Sequence, residues 1–200
     1  FLYLRKNKID VSFLKINLKK NKLILKKLNN FDKSYFDYLI SFRNLLVLKK
    51  KILNKIRYAC VNFHPGPPNY RGIGCANFAI NNQEKKYGCT THLMNKKIDN
   101  GKVLDVRYFT LKKNIEIKSL VKKTHALAYE MFLDFFKEIF KNNVSINTLA
   151  KRCKNVKWSK KIYNRKQLNN LYNINPKINK EKLNILLKAT NYGSFRPYIL

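Results

Sequence analysis

Three side chains of complementary chemistry, Asn62, His64 and Asp99, stand inside one window of the chain, residues 60–106. An amide can donate hydrogen bonds to an oxygen that gains charge. An imidazole titrates near neutrality and can hold or pass a proton, and a carboxylate can orient that imidazole or favour its charged form. Taken singly, each has an ordinary structural reading: Asn62 as a turn cap, His64 before Pro65 as a satisfied loop histidine, Asp99 as the Asx-turn partner of Gly101. The same window holds five of the six glycines (Gly66, Gly72, Gly74, Gly88, Gly101) and three of the five prolines (Pro65, Pro67, Pro68). Gly opens conformations closed to other residues and Pro fixes φ, so a dense cluster of both marks a loop held in one unusual shape, where sites tend to sit.

The flanking segments must position these residues. Residues 36–42 (FDYLISF) form a nearly unbroken apolar run, the pattern of a parallel strand covered on both faces. Leu45, Leu48, Ile52 and Ile56 recur at helical spacing over residues 45–56, and residues 57–63 return as a second buried strand. A right-handed β-α-β crossover is the economical topology. Phe42, Arg43, Leu45 and Leu46 then lie at the end of the first strand and Asn62, His64 and Pro65 at the end of the second, where open α/β sheets bind ligands. After the glycine-rich loop, residues 73–82 read as a helix with Cys75, Phe78 and Ala79 inward. Residues 87–95 and 102–110 read as alternating strands joined by the turn 96–101, with Gly101 free to take a positive φ. Leu120, Thr124, Leu127, Ala128, Met131, Phe135 and Ile139 draw an apolar stripe along one long helix over 115–140. A strand is expected over 9–18, a short one over 161–163, a helix near 180–188 and an extended tail beyond. His92, mid-strand, and His125, on the long helix, read as structural.

With 200 residues, 45% hydrophobic and 13% aromatic, the chain supports one ordinary α/β domain, expected over 1–142, with a small C-terminal extension over 143–200. No apolar run approaches the ~18 residues of a membrane span and no signal-peptide arrangement opens the sequence, so the reading is soluble and cytoplasmic, with no membrane partner. The first residue is Phe1 rather than Met, which points to a fragment. Cys60, Cys75, Cys89 and Cys153 lack paired CxxC spacing and read as reduced thiols, not as a metal site or a disulfide framework. The net charge of +32 invites a nucleic-acid reading. Lysine is spread along the whole chain, however, which favours solvated faces over a specific nucleic-acid site. A noncatalytic, basic nucleic-acid-binding protein is the competing class.

The pattern Asn-x-His-Pro at 62–65, Tyr-Arg-Gly at 70–72, and Asp-x-Gly at 99–101 after Thr-x-His at 90–92 resembles the folate-dependent formyltransferase family. That family includes glycinamide ribonucleotide, methionyl-tRNA and sugar-amine formyltransferases. The resemblance spans roughly residues 36–140. It implies a Rossmann-like domain, 10-formyltetrahydrofolate as formyl donor, and Asn62, His64 and Asp99 as catalytic residues. Phe42, Arg43, Leu45, Leu46, Lys97 and Ile98 are then expected against the pterin. The tRNA and purine enzymes usually follow the histidine with Pro-Ser-Leu-Leu-Pro. This chain has His64-Pro65-Gly66-Pro67-Pro68, then Tyr70-Arg71-Gly72-Ile73-Gly74, and in this it is similar to formyltransferases acting on nucleotide-linked amino sugars. A nucleotide-linked amino sugar is therefore the expected acceptor, with Arg71, Gly72 and Gly74 as candidates to hold its phosphates, although Arg71 could equally brace the loop. A methionyl-tRNA acceptor is the alternative, and a homodimer is compatible with either. Fewer residues precede the Asn motif than in the family, so the first sheet strand is expected to be absent.

Overall fold

The computed structural model describes residues 2–4, 11–13, 36–42 and 47–199. Strands β1 (Leu2–Leu4), β2 (Val11–Phe13), β3 (Tyr38–Phe42), β4 (Ala59–His64), β6 (Lys86–Leu93) and β7 (Val103–Thr110) form one sheet in the order β2-β1-β3-β4-β6-β7. A second, two-stranded sheet joins β5 (Arg71–Gly72) to β8 (Ile162–Tyr163). The large sheet is mixed: β1 runs antiparallel to β2 and β3, whereas β3 and β4 are parallel, with Ser41 opposite Asn62 and Phe42 opposite Phe63. The parallel pair is the one the apolar runs predict. Of the strand expected over 9–18, Val11–Phe13 is seen and the rest lies outside the described residues.

The connection between β3 and β4 is less helical than its periodicity implies. Among the described residues of this connection the helix is α1 (Lys50–Leu53), and Leu48 and Ile52 are both buried as predicted. The first turn of α1 has no side-chain cap and no acid, only Lys50 and Lys51 against the positive end of the helix dipole, so little extends it toward the N-terminus. Residues 45 and 46 lie outside the described residues.

Further on, α2 (Cys75–Asn81) buries Cys75, Phe78, Ala79 and Ile80. β6 corrects the expected alternation: Tyr87 to His92 are buried without interruption. It lies inside the sheet between β4 and β7, and its unbroken burial shows that both of its faces are covered as well. The long helix α3 (Ile117–Phe136) carries the predicted stripe, but its last turn, Lys137–Lys141, is π-helical. Two helices were not expected from the sequence, α4 (Ile146–Arg152) and α5 (Arg165–Tyr172), while α6 (Lys180–Thr190) was. Among the described residues no helix is long and apolar enough to cross a membrane.

The chain divides into two units. One comprises Phe1–His64, Thr91–Asp105 and Met131–Asn155. Here Phe63 is 1% exposed and meets the edges of the Phe132 and Phe135 rings at 5.7 and 5.8 Å. Full burial of one such ring stabilises by roughly 1.5–3 kcal/mol, which fixes the end of β4. The other unit comprises Pro65–Thr90, Val106–Glu130 and Val156–Leu200. Its core gathers Tyr70, Phe78, Tyr87, Leu120, Tyr163 and Leu168 among others, with Tyr163 stacked on Phe78 at 4.1 Å and on Tyr70 at 5.5 Å.

Candidate active site

Because side chains alternate along a strand, Phe63 takes the core face of β4 and Asn62 and His64 share the other. β6 lies beside β4 and brings His92 into the same group, while the turn after β6 carries Asp99. His64 Nδ1 lies 3.4 Å from Asp99 Oδ2, and His92 Nε2 lies 3.4 Å from Asp99 Oδ1. One carboxylate thus spans two imidazoles. His92 Nε2 is also 3.2 Å from Asn62 Nδ2. The side chains of His64, His92 and Asp99 are 3%, 4% and 10% exposed, so charge within this group is poorly screened by water.

The turn that presents Asp99 is built from local hydrogen bonds. Asn95 Oδ1 accepts from the Lys97 amide at 2.8 Å, and the strands on either side close through Leu93 N to Lys102 O at 2.8 Å. Met94 N donates to Cys60 O at 2.8 Å, which ties the start of the turn to β4. Contrary to expectation, Gly101 is not the residue with positive φ. Asp99 itself takes that conformation, at φ 41°. Gly101 is needed for another reason: a Cβ there would stand 1.6 Å from the Leu93 carbonyl oxygen. Asp99 is thus a non-glycine residue held in a sparsely occupied region at the centre of the group, a pattern found where surrounding structure over-determines a functional residue.

The sequence-predicted residues are thus brought together in the case of Asn62, His64 and Asp99. His92, read from the sequence as structural, joins them. Phe42 ends β3, half-buried, with its ring centroid 6.0 Å from that of Phe63. Lys97 and Ile98 are exposed on the Asp99 turn, Ile98 at 44%. Arg43, Leu45 and Leu46 lie outside the described residues. Arg71, on β5, is 5% exposed and donates from Nη1 to the Ser159 carbonyl at 2.7 Å, a contact that braces β5 within its own unit. Gly72 and Gly74 both have positive φ, and a Cβ on Gly72 would lie 2.1 Å from the Tyr163 carbonyl oxygen.

Cysteine nucleophilic chemistry does not fit this strand end. Cys60, two residues before Asn62, has its thiol pushed up to about 12 by burial, far from a reactive thiolate. Among the described residues no group of three or more His, Cys, Asp or Glu is placed to hold a metal ion. What the arrangement offers is an amide donor, an imidazole that can exchange a proton, and a carboxylate that steadies positive charge on the imidazole, the equipment of acyl-group transfer.

Solved N-formyltransferases share this α/β fold. A 4-N formyltransferase from Francisella tularensis superposes with a TM-score of 0.70 at 22% identity, over 92% of this chain and 71% of that one. An N-formyltransferase from Helicobacter canadensis, solved with folinic acid and dTDP-3-aminofucose, superposes with a TM-score of 0.60 at 19% identity, over 87% and 58%. In sequence, the methionyl-tRNA formyltransferase of Clostridium novyi is 38% identical over 99 residues, 49% of this chain and 31% of that protein. The formyl transferase family model matches residues 6–135, and the chain belongs to that family. It spans less than half the length of the curated relatives it matches, between 30% and 44%.

Proposed function

We propose that this protein transfers a formyl group from 10-formyltetrahydrofolate to the amine of a nucleotide-linked amino sugar. The observation that carries formyl transfer is the meeting of His64 with Asp99, and of Asn62 with Asp99 through His92, on the strand end and turn where the family motifs fall. In this reading Asn62 donates an N–H toward the formyl oxygen as it gains charge. His64, its Nδ1 facing Asp99, is left with Nε2 to take the proton released by the attacking amine. Asp99 then stabilises the imidazolium. Loss of one oxyanion donor commonly costs about 10²–10³ in rate, the effect assigned to Asn62.

The folate, when bound, supplies an electrophilic formyl carbon. The half-buried Phe42 offers an apolar face, and the exposed residues Lys97 and Ile98 of the Asp99 turn are proposed to approach the pterin from the other side. Arg43, Leu45 and Leu46 complete the proposed folate-binding set. A folate-type ligand in a structurally similar N-formyltransferase fits the same assignment.

The sugar acceptor is supported by the loop His64-Pro65-Gly66-Pro67-Pro68 and its continuation through Gly74, with Arg71, Gly72 and Gly74 proposed toward the phosphates. On this reading residues 1–142 form the catalytic part and 143–200 an extension. Free thiols at Cys60, Cys75, Cys89 and Cys153 are compatible with a cytoplasmic location. A second reading, methionyl-tRNA as acceptor, is favoured by the sequence relatives. The deciding experiment is a formyl-transfer assay over nucleotide-linked 3- and 4-amino sugars, the free amino sugars and methionyl-tRNA. Faster turnover of one nucleotide-linked sugar than of its free form is expected. Equal kcat/KM for the two, or faster formylation of methionyl-tRNA, overturns the sugar assignment.

A further inference from the structure

The contact between Asn62 and His92 has a direction, and that direction decides what Asn62 can do. His92 Nδ1 lies 2.8 Å from the carbonyl oxygen of Leu93. A carbonyl only accepts, so Nδ1 carries a hydrogen, and in the neutral ring Nε2 is left with a lone pair. Asn62 Nδ2, at 3.2 Å from Nε2, then donates one N–H to it. An amide group is planar, so pinning one N–H fixes the plane and aims the second N–H, with Oδ1 turned away from the ring. Asp99, from the turn, faces His92 Nε2, and His64, from β4, faces the same carboxylate.

We propose that His92 is a positioning residue: its neutral, Nδ1-protonated form sets the amide of Asn62 so that an N–H faces the reacting oxygen. Protonation of His92 reverses the setting. Nε2 then becomes a donor, with Asp99 Oδ1 3.4 Å away, and the Asn62 N–H that pointed at it must turn aside. The free N–H moves away from the reacting oxygen and a lone pair can take its place. The inference rests on the reading of Asn62 as an oxyanion donor, but the tautomer and the amide orientation belong to the protein without substrate.

Nitrogen NMR of the whole protein tests this directly. Neutral His92 should show its hydrogen on Nδ1, and the Asn62 side-chain NH₂ signals should move with the His92 titration in the wild type and cease to do so in His92→Gln. In formyl transfer, His92→Gln places an amide oxygen near the Nε2 position and should keep kcat within about tenfold of wild type. His92→Leu, with no acceptor, should lose roughly 10²–10³ in kcat with little change in KM for the formyl donor. A hydrogen on Nε2 of neutral His92, Asn62 signals indifferent to the His92 titration, or equal losses in the two variants would overturn the proposal. Should the wild type formylate no amine, the functional reading fails, while the NMR result still decides how Asn62 is set.

Discussion

Asp99→Asn is the most informative single change, because the structure keeps its structural and catalytic consequences apart. Asn accepts the left-handed backbone that Asp99 holds at φ 41°, so the turn should survive. What disappears is the charge facing His64 at 3.4 Å. With an effective dielectric near 20, opposite unit charges at that separation attract by about 5 kcal/mol, and 10% exposure of the carboxylate leaves little room for screening. The amide oxygen of the variant still accepts a hydrogen bond worth about 1 kcal/mol. Roughly 4 kcal/mol of imidazolium stabilisation is therefore lost, a factor near 10³ in kcat. In the proposed mechanism the charge on His64 develops as the amine gives up its proton, so the KM for the formyl donor should stay close to wild type. Steady-state kinetics, paired with a thermal melt to establish folding, provide the assay. A folded variant within tenfold of wild-type kcat, or a loss confined to KM, would refute the assignment of Asp99 to steadying that charge.

Gly101→Ala should unfold or severely weaken the protein, since the added Cβ would fall 1.6 Å from a backbone oxygen that has no side-chain freedom to yield. A penalty of about 3 kcal/mol would lower Tm by roughly 6–12 °C, and an unchanged melt would show the turn to be softer than drawn. Arg71→Lys should lower Tm through the lost Ser159 contact and leave the acceptor KM unchanged if Arg71 braces β5. A tenfold rise in the nucleotide-sugar KM at constant Tm would instead show a phosphate contact. Burial pushes the thiols of Cys60 and Cys89 up to about 12, favouring the protonated form in the fold. Their contribution to stability is therefore full below the unfolded thiol value, about 8.5, and is lost as pH climbs toward 12. At pH ~8, iodoacetamide should label the half-buried Cys153 first, and equal labelling of Cys60 in a mass spectrum would contradict that order.

The parallel pair β3–β4, the inward face of α2, the α3 stripe and α6 were legible because apolar residues there repeat at the period of the element. That Asn62, His64 and Asp99 come close in space was legible through their joint spacing. His92 was not, because a histidine buried in a central strand looks the same in sequence whether it packs or positions. The one available signal was its parity: it shares a face with Thr90 and not with Cys89 or Leu93, two residues short of the Asp99 turn. The left-handed backbone of Asp99 escaped notice because Gly101, two residues on, is the more obvious holder of a positive φ. Helices α4 and α5 escaped for lack of a wide apolar stripe, since Leu149 and Leu168 are the buried side chain of each. Their caps were nonetheless written in the chain: Ser145 accepts from the Thr148 amide, and Asn164 and Gln167 form a reciprocal capping box.

The order in which the two units draw on the chain bears on how the protein is made. Each unit takes three separate segments, and the chain passes from one to the other after His64, Thr90, Asp105, Glu130 and Asn155. β6, β7 and α3 are each split at such a crossing. A nascent chain that has emerged as far as Asp105 already carries Asn62, His64, His92 and Asp99, yet Phe63 still lacks Phe132 and Phe135. Neither unit can close before a stretch of the other has been synthesised, so both wait with strand edges and aromatic faces open, the condition in which chains aggregate or recruit chaperones. Pieces divided at any peptide bond between Pro65 and Asn155 would each hold parts of both units, and a break between His64 and Asp99 would leave the candidate site to be assembled by complementation in trans.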